Sequence, residues 1–224
     1  MAIGNTLTDT EIQSLVAAYG YTAARMNEGK QLYDKAFNGV NAQIAAAGAQ
    51  RDATASTNMA QTTAQKAYQD LSQVARAAFG KDKTRLAALG LTGTMPHTTS
   101  GFITAAYALF DNALKVEEIQ KLLATYGYDP AKLQSERAKI AAFESANQAQ
   151  EAAKGAAHQA TREQDAALAA LRDWLAQYLR IAKVALRDKK DLLTKLSVLA
   201  ASGGQPSKKP TDKKPVPDSA TKEG

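Results

Sequence analysis

The residues able to do chemistry are few and scattered. The chain has two His, His97 and His158, and no Cys. Without Cys there is no disulfide, thiol nucleophile, iron–sulfur cluster or Cys-ligated zinc. Neither His stands in Glu-x-x-His or His-Glu-x-x-His spacing, and no acidic EF-hand loop is present. A di-iron bundle needs Glu and His repeated at one level of facing helices. Here Glu144, Glu151 and Glu163 are spread among Gln and Lys. Ser and Thr crowd residues 54–63, but the base that a hydroxyl nucleophile requires does not accompany them. No Gly-x-x-x-x-Gly-Lys-Ser/Thr loop exists to cradle a phosphate. The sequence therefore predicts no catalytic residue, no cofactor site and no metal site, and a chain that is not an enzyme.

Two cationic clusters remain. Arg76 and Lys83 stand with Lys81 and Arg85, and Arg180, Lys183, Arg187 and Lys190 recur at helical spacing. Such patches suit phosphate or anionic lipid. They equally suit helix C-termini, where the macrodipole favours each cation by about 0.3–1 kcal/mol. The net charge is +6, modest for 224 residues, so no nucleic-acid specificity is expected. Trp174, Tyr178 and Tyr68 are expected to be core rather than a ligand-binding patch.

The elements that position these residues read as helices throughout. Of the 45% hydrophobic residues, nearly half are Ala, 47 in number, and there are only 6 Pro and 14 Gly. That profile argues against all-β and collagen-like folds and for extended helices. Residues 11–21, EIQSLVAAYGY, recur as EIQKLLATYGY at 118–128, identical at 8 of 11 positions with an offset of 107. The ungapped offset also pairs Gly48 with Gly155, Lys83 with Lys190, and Leu86 and Leu89 with Leu193 and Leu196. The chain reads as a tandem duplication. In the first copy Thr8 and Glu11 are spaced as a capping box, and Gly20 stands where a helix would end. Gly127 repeats this, and Asp129-Pro130 supplies an N-cap and first-turn Pro.

Residues 22–79 and 130–186 lack internal Pro after their first residue, and Tyr33, Phe37, Val40, Ile44 and Ala47 keep helical spacing. Each stretch is expected to be one helix of about 58 residues, about 87 Å long. The rival is a hairpin at Gly48 and Gly155. One further helix is expected from Phe102 to Tyr126. The predicted organisation is a first helical repeat over 1–91, a linker over 92–101, a second repeat over 102–200 and a Lys/Pro-rich disordered tail over 201–224. The fold class is all-α: a tandem duplication of a long-helix unit, forming an antiparallel elongated helical bundle or coiled coil with pseudo-twofold symmetry.

The segments YGYDPAKLQ, Gly155–Thr161 and TREQDAALAALRDWLAQYLRIAKVALRDKKDLLTKLSV resemble a bacterial family of tandemly duplicated, Ala-rich long-helix proteins. The shared steps fall on Thr161-Arg162, Leu171 to Trp174, Ile181 to Leu186 and Leu192 to Leu196. Lys190 departs from the Pro frequent there. The family has no known activity to carry over, so the resemblance implies architecture alone.

The function expected is a non-enzymatic helical scaffold or protein-interaction module. Its expected partner is protein, including a second copy, through middle segments that include Ala46, Ala53, Ala153 and Ala160. The alternative is a membrane-surface or pore-forming helical protein that binds anionic lipid through the basic helix ends and tail. The N-terminus lacks a basic region followed by an apolar stretch, so a cytoplasmic location is expected.

Overall fold

The computed structural model describes residues 2–196. The Lys/Pro-rich segment 201–224 lies outside the described residues, as do residues 197–200. The described chain is all-helical: α1 (Ala2–Thr8), α2 (Thr10–Ala17), α3 (Ala23–Phe79), α4 (Lys83–Ala88), α5 (Thr99–Lys115), α6 (Glu117–Thr125), α7 (Pro130–Ala185) and α8 (Lys190–Lys195). The long helices α3 and α7 run unbroken for 57 and 56 residues, with no hairpin at Gly48 or Gly155. A lone Gly costs only about 1 kcal/mol inside a helix, and no other turn residue supports it at either place.

Local chemistry sets the ends of the short helices. Asp9 caps α2, accepting from the Glu11 and Ile12 amides at 3.1 and 3.2 Å. The expected Thr8–Glu11 capping box does not form, because Thr8 is the last residue of α1 and its hydroxyl turns back to Gly4 O and Asn5 O. After α2, Gly20 adopts φ 86°, the Gly20 amide donates to Ala17 O and the Tyr21 amide to Val16 O. After α6, Gly127 adopts φ 82° with the matching bonds to Ala124 O and Leu123 O. Both are Schellman ends, and an L side chain at the glycine would be strained. Asp129 and Pro130 open α7 as expected, with the Lys132 amide donating to Asp129 Oδ1 at 2.7 Å.

The helix expected from Phe102 to Tyr126 is instead two. It breaks at Val116, whose extended backbone (φ −89°, ψ 103°) separates α5 from α6. The Gln120 amide group donates to Leu114 O at 2.9 Å and satisfies a carbonyl that the break frees. Gln13 does the same for Leu7 O at 2.7 Å between α1 and α2.

Two compact units result. The first takes residues up to 33 together with those from 170 onward, and the second is residues 34–169. Each unit therefore draws on both sequence repeats. In the first, Ile12, Val16, Met26, Tyr178 and Leu186 form a buried core closed by Leu192, Leu193 and Leu196 of α8. The Asn5 amide group donates to Lys195 O at 2.6 Å, and Lys195 pairs with Asp9 at 2.8 Å, which ties α8 to the α1–α2 junction. In the second, Leu71, Phe79, Phe110, Ile119, Leu123 and Leu133 are buried together, with Leu89 of α4 and Phe102 of α5. Asn112 donates there to Ala88 O at 2.7 Å.

Candidate functional site

The dominant feature available for function is the pairing of α3 with α7. In the first unit Arg25 donates to Gln177 at 3.0 Å, and Gly29 lies under the Trp174 ring. In the second, Gly39 lies against the Gln164 backbone, Gln150 donates to Thr54 at 3.2 Å, and Thr57 donates to Ala146 O at 2.9 Å. Residue numbers fall along α7 as they rise along α3. Small residues make this possible. A Cβ at Gly39 would stand 3.3 Å from Gln164 Cα, and one at Gly29 would stand 2.6 Å from Trp174 Cζ2.

Larger side chains along this seam come with smaller partners. The positions 107 residues from Gly29 and Trp174 hold Glu136 and Ala67, so the bulk moves to the other helix. Both Glu136 and Ala67 are buried. The buried Thr6 and Tyr178 hydroxyls bond each other, and their counterparts are Ala113 and Leu71, both fully buried and apolar. Changing both partners together leaves no orphaned hydroxyl, which would cost about 1–3 kcal/mol.

Ala46, Ala53, Ala153 and Ala160 are half-buried on the stripe that carries these seam contacts. They occupy the intramolecular face, where small side chains let α3 and α7 approach. The middle surface left open to other molecules lies instead on the outer sides of the helices.

The six predicted basic contacts divide between the units. Arg180, Lys183, Arg187 and Lys190 are exposed in the first unit and make no ion pair among the described residues. The first three repeat along one face of α7. A shallow depression of about 700 Å³ beside Arg187 and Lys190 is also lined by Glu11, Asp188 and Asp191, which offset its charge. Arg76 and Lys83 belong to the second unit. Arg76 is spent on the backbone, donating to Leu91 O at 3.2 Å, and Arg85 bridges Asp82 and Glu118 at 3.3 and 3.1 Å.

The aromatic residues are core, as expected, and do not form one group. Trp174 stacks on Tyr178 at 5.4 Å and meets the edge of Tyr21 at 5.8 Å, all in the first unit. Tyr68 packs edge-on against Phe102 at 5.7 Å in the second. The Trp174 indole N–H is buried without a hydrogen-bond partner.

One charged residue escaped the sequence reading. Glu136 is only 5% exposed and lies 2.8 Å from Lys132 and 2.7 Å from Lys139. Burial by itself pushes its carboxyl up, but the two Lys outweigh this and hold it below the ordinary Glu value. The only available signal was Lys-x-x-x-Glu-x-x-Lys, which is common on solvated helices. Among the described residues no group of three His, Cys, Asp or Glu is placed to hold a metal ion. His97 and His158 are both exposed, on the linker and on α7. No described helix is long and apolar enough to cross a membrane. Comparison with family models, curated proteins and solved structures finds no match for this chain.

Two predictions follow from the seam. Gly29→Ala should destabilise the protein by about 1–3 kcal/mol through overpacking, and nearly all of that penalty should vanish in a Trp174→Ala background. Urea unfolding of the four-member cycle measures this, and an unchanged penalty would separate Gly29 from Trp174. Because the Glu136 carboxyl is depressed on folding, its contribution is present above the unfolded Glu value of about 4.3 and lost as pH falls through the folded one. Wild type should therefore lose more stability than Glu136→Gln between about pH 5 and pH 3, and parallel stability–pH curves would contradict this.

Proposed function

We propose that the chain is a non-enzymatic helical scaffold, an interaction module whose working parts are the outer faces of α3 and α7. In this reading it arose by tandem duplication, and its long helices pair as an antiparallel coiled coil with pseudo-twofold symmetry. The observation that carries it is the α3–α7 seam. Residues on one face of each long helix are consumed in pairing through Gly, Ala and Thr, while their remaining faces stay exposed. Support for duplication comes from matched details that a shared composition does not require. Gln13 and Gln120 make the same bond, as do Asn5 and Asn112, at the offset of 107. The resemblance to duplicated bacterial long-helix proteins points the same way, and a cytoplasmic location fits it.

A second reading is favoured by one observation, the exposed ladder Arg180, Lys183 and Arg187 with Lys190 near it. It would make the chain a membrane-surface protein held by anionic lipid. Vesicle flotation decides between the two. The scaffold reading predicts that the full chain stays at the bottom of the gradient with phosphatidylserine and with phosphatidylcholine vesicles alike. Flotation with phosphatidylserine vesicles alone, abolished by Arg180→Glu with Lys183→Glu, would replace it with the membrane reading.

A further inference from the structure

The outer face of α3 carries apolar side chains that its own fold has no use for. Phe37 is 56% exposed, Ile44 62% and Met59 67%. With Gly48 and Ala55 they lie within about 60° of one another around the helix, at 100° per residue. All five belong to the second unit. Between Asn38 and Gln65 the sole charged residues are Arg51, on the flank of this stripe, and its neighbour Asp52.

The chain contains its own control. The positions 107 residues on hold Glu144, Glu151, Gly155, Arg162 and Ala166 on α7. Three of these five are charged. Glu144, the counterpart of Phe37, accepts a hydrogen bond from the Tyr107 hydroxyl at 2.7 Å. The same kind of helix in the same molecule thus keeps its register with a charged outer face. Phe37 and Ile44 are not explained by what α3 needs in order to fold.

The order of the stripe identifies its occupant. Phe37 and Met59 stand at equal distances on either side of Gly48, and so do Asn41 and Ala55. A twofold interface requires this self-complementarity, because residue i must meet j while j meets i. We infer that the outer face of α3 is a homodimer interface, in which a second copy lies antiparallel along it with Gly48 of each chain at the twofold axis. Phe37 of one protomer then meets Met59 of its partner, a sulfur–aromatic contact. Gly48 adds no Cβ at the axis, and nothing of its own chain lies within 4 Å of where one would be. The near absence of charge on this face spares two identical helices from like-charge repulsion. The inference deepens the interaction-module reading by naming one partner.

The test uses the full chain. Light scattering coupled to size exclusion should show the mass rising from 23.8 kDa towards twice that as concentration is raised. Phe37→Glu with Ile44→Glu, the residues that α7 carries at these places, should leave helicity and melting temperature unchanged. It should raise the dimer dissociation constant at least about tenfold, since an unpaired carboxylate would be buried. The chain has no Cys, so a single introduced thiol is unique. Gly48→Cys should cross-link into a covalent dimer under mild oxidation, and Gly155→Cys should not. A wild type that stays monomeric at every concentration overturns the inference and leaves the vesicle result untouched. A dimer that cross-links equally well through residue 155, or that ignores the glutamates, overturns it as well. Vesicle binding that is lost on Ile44→Glu would assign the face to lipid instead.

Discussion

Close approach of α3 and α7 is the constraint on which the rest depends. A helix of 57 residues with nearly half its sequence polar cannot bury enough surface alone, and intrinsic propensity contributes little to so long an element. Pairing through Gly, Ala and Thr brings the two backbones near enough for Thr57 to reach the Ala146 carbonyl and for Gly39 to touch the Gln164 backbone. The short helices then have a fixed platform. In the first unit α1, α2 and α8 cover Tyr178, Ala182 and Leu186. In the second α4, α5 and α6 cover Leu71, Ala75 and Phe79.

The seam also shows how one packing solution tolerates different residues. Trp174 over Gly29 and Glu136 beside Ala67 place bulk on opposite helices at equivalent positions. Interiors are packed closely enough that such a change is accepted only when both sides move. Trp174 brings a buried N–H without a partner, and Glu136 brings a buried carboxylate that needs Lys132 and Lys139. Each variant of the joint therefore carries its own polar cost. The Thr6–Tyr178 pair, replaced by Ala113 and Leu71, is the same exchange made in hydrogen-bond terms.

Much of the architecture was legible because its signals are local. Gly20, Gly127 and Asp129-Pro130 mark helix boundaries through backbone chemistry that does not depend on tertiary context. The absence of turn clusters around Gly48 and Gly155 was enough to expect unbroken helices. Other features were not readable. The break at Val116 has no Gly or Pro to announce it, and depends on Gln120 reaching back to Leu114. Ala46, Ala53, Ala153 and Ala160 look alike in sequence whether they face a partner or the other long helix, because Ala suits either surface. The stripe from Phe37 to Ile44 was visible as helical periodicity. Periodicity alone does not say which apolar face is inside, and Phe37 proves to be exposed while Ala36 beside it is buried.

The pairing of the long helices is most directly tested with two cysteines in the Cys-free chain, at Thr57 and Ala146, where a side chain of α3 meets the backbone of α7. The account predicts that Thr57→Cys with Ala146→Cys forms a disulfide within one chain on mild oxidation, at monomer mass and with helicity kept. Moving the second cysteine from Ala146 to Ala160 should abolish it. Equal disulfide yield from the displaced pair, or disulfides found only between chains, would contradict the register on which the structure rests.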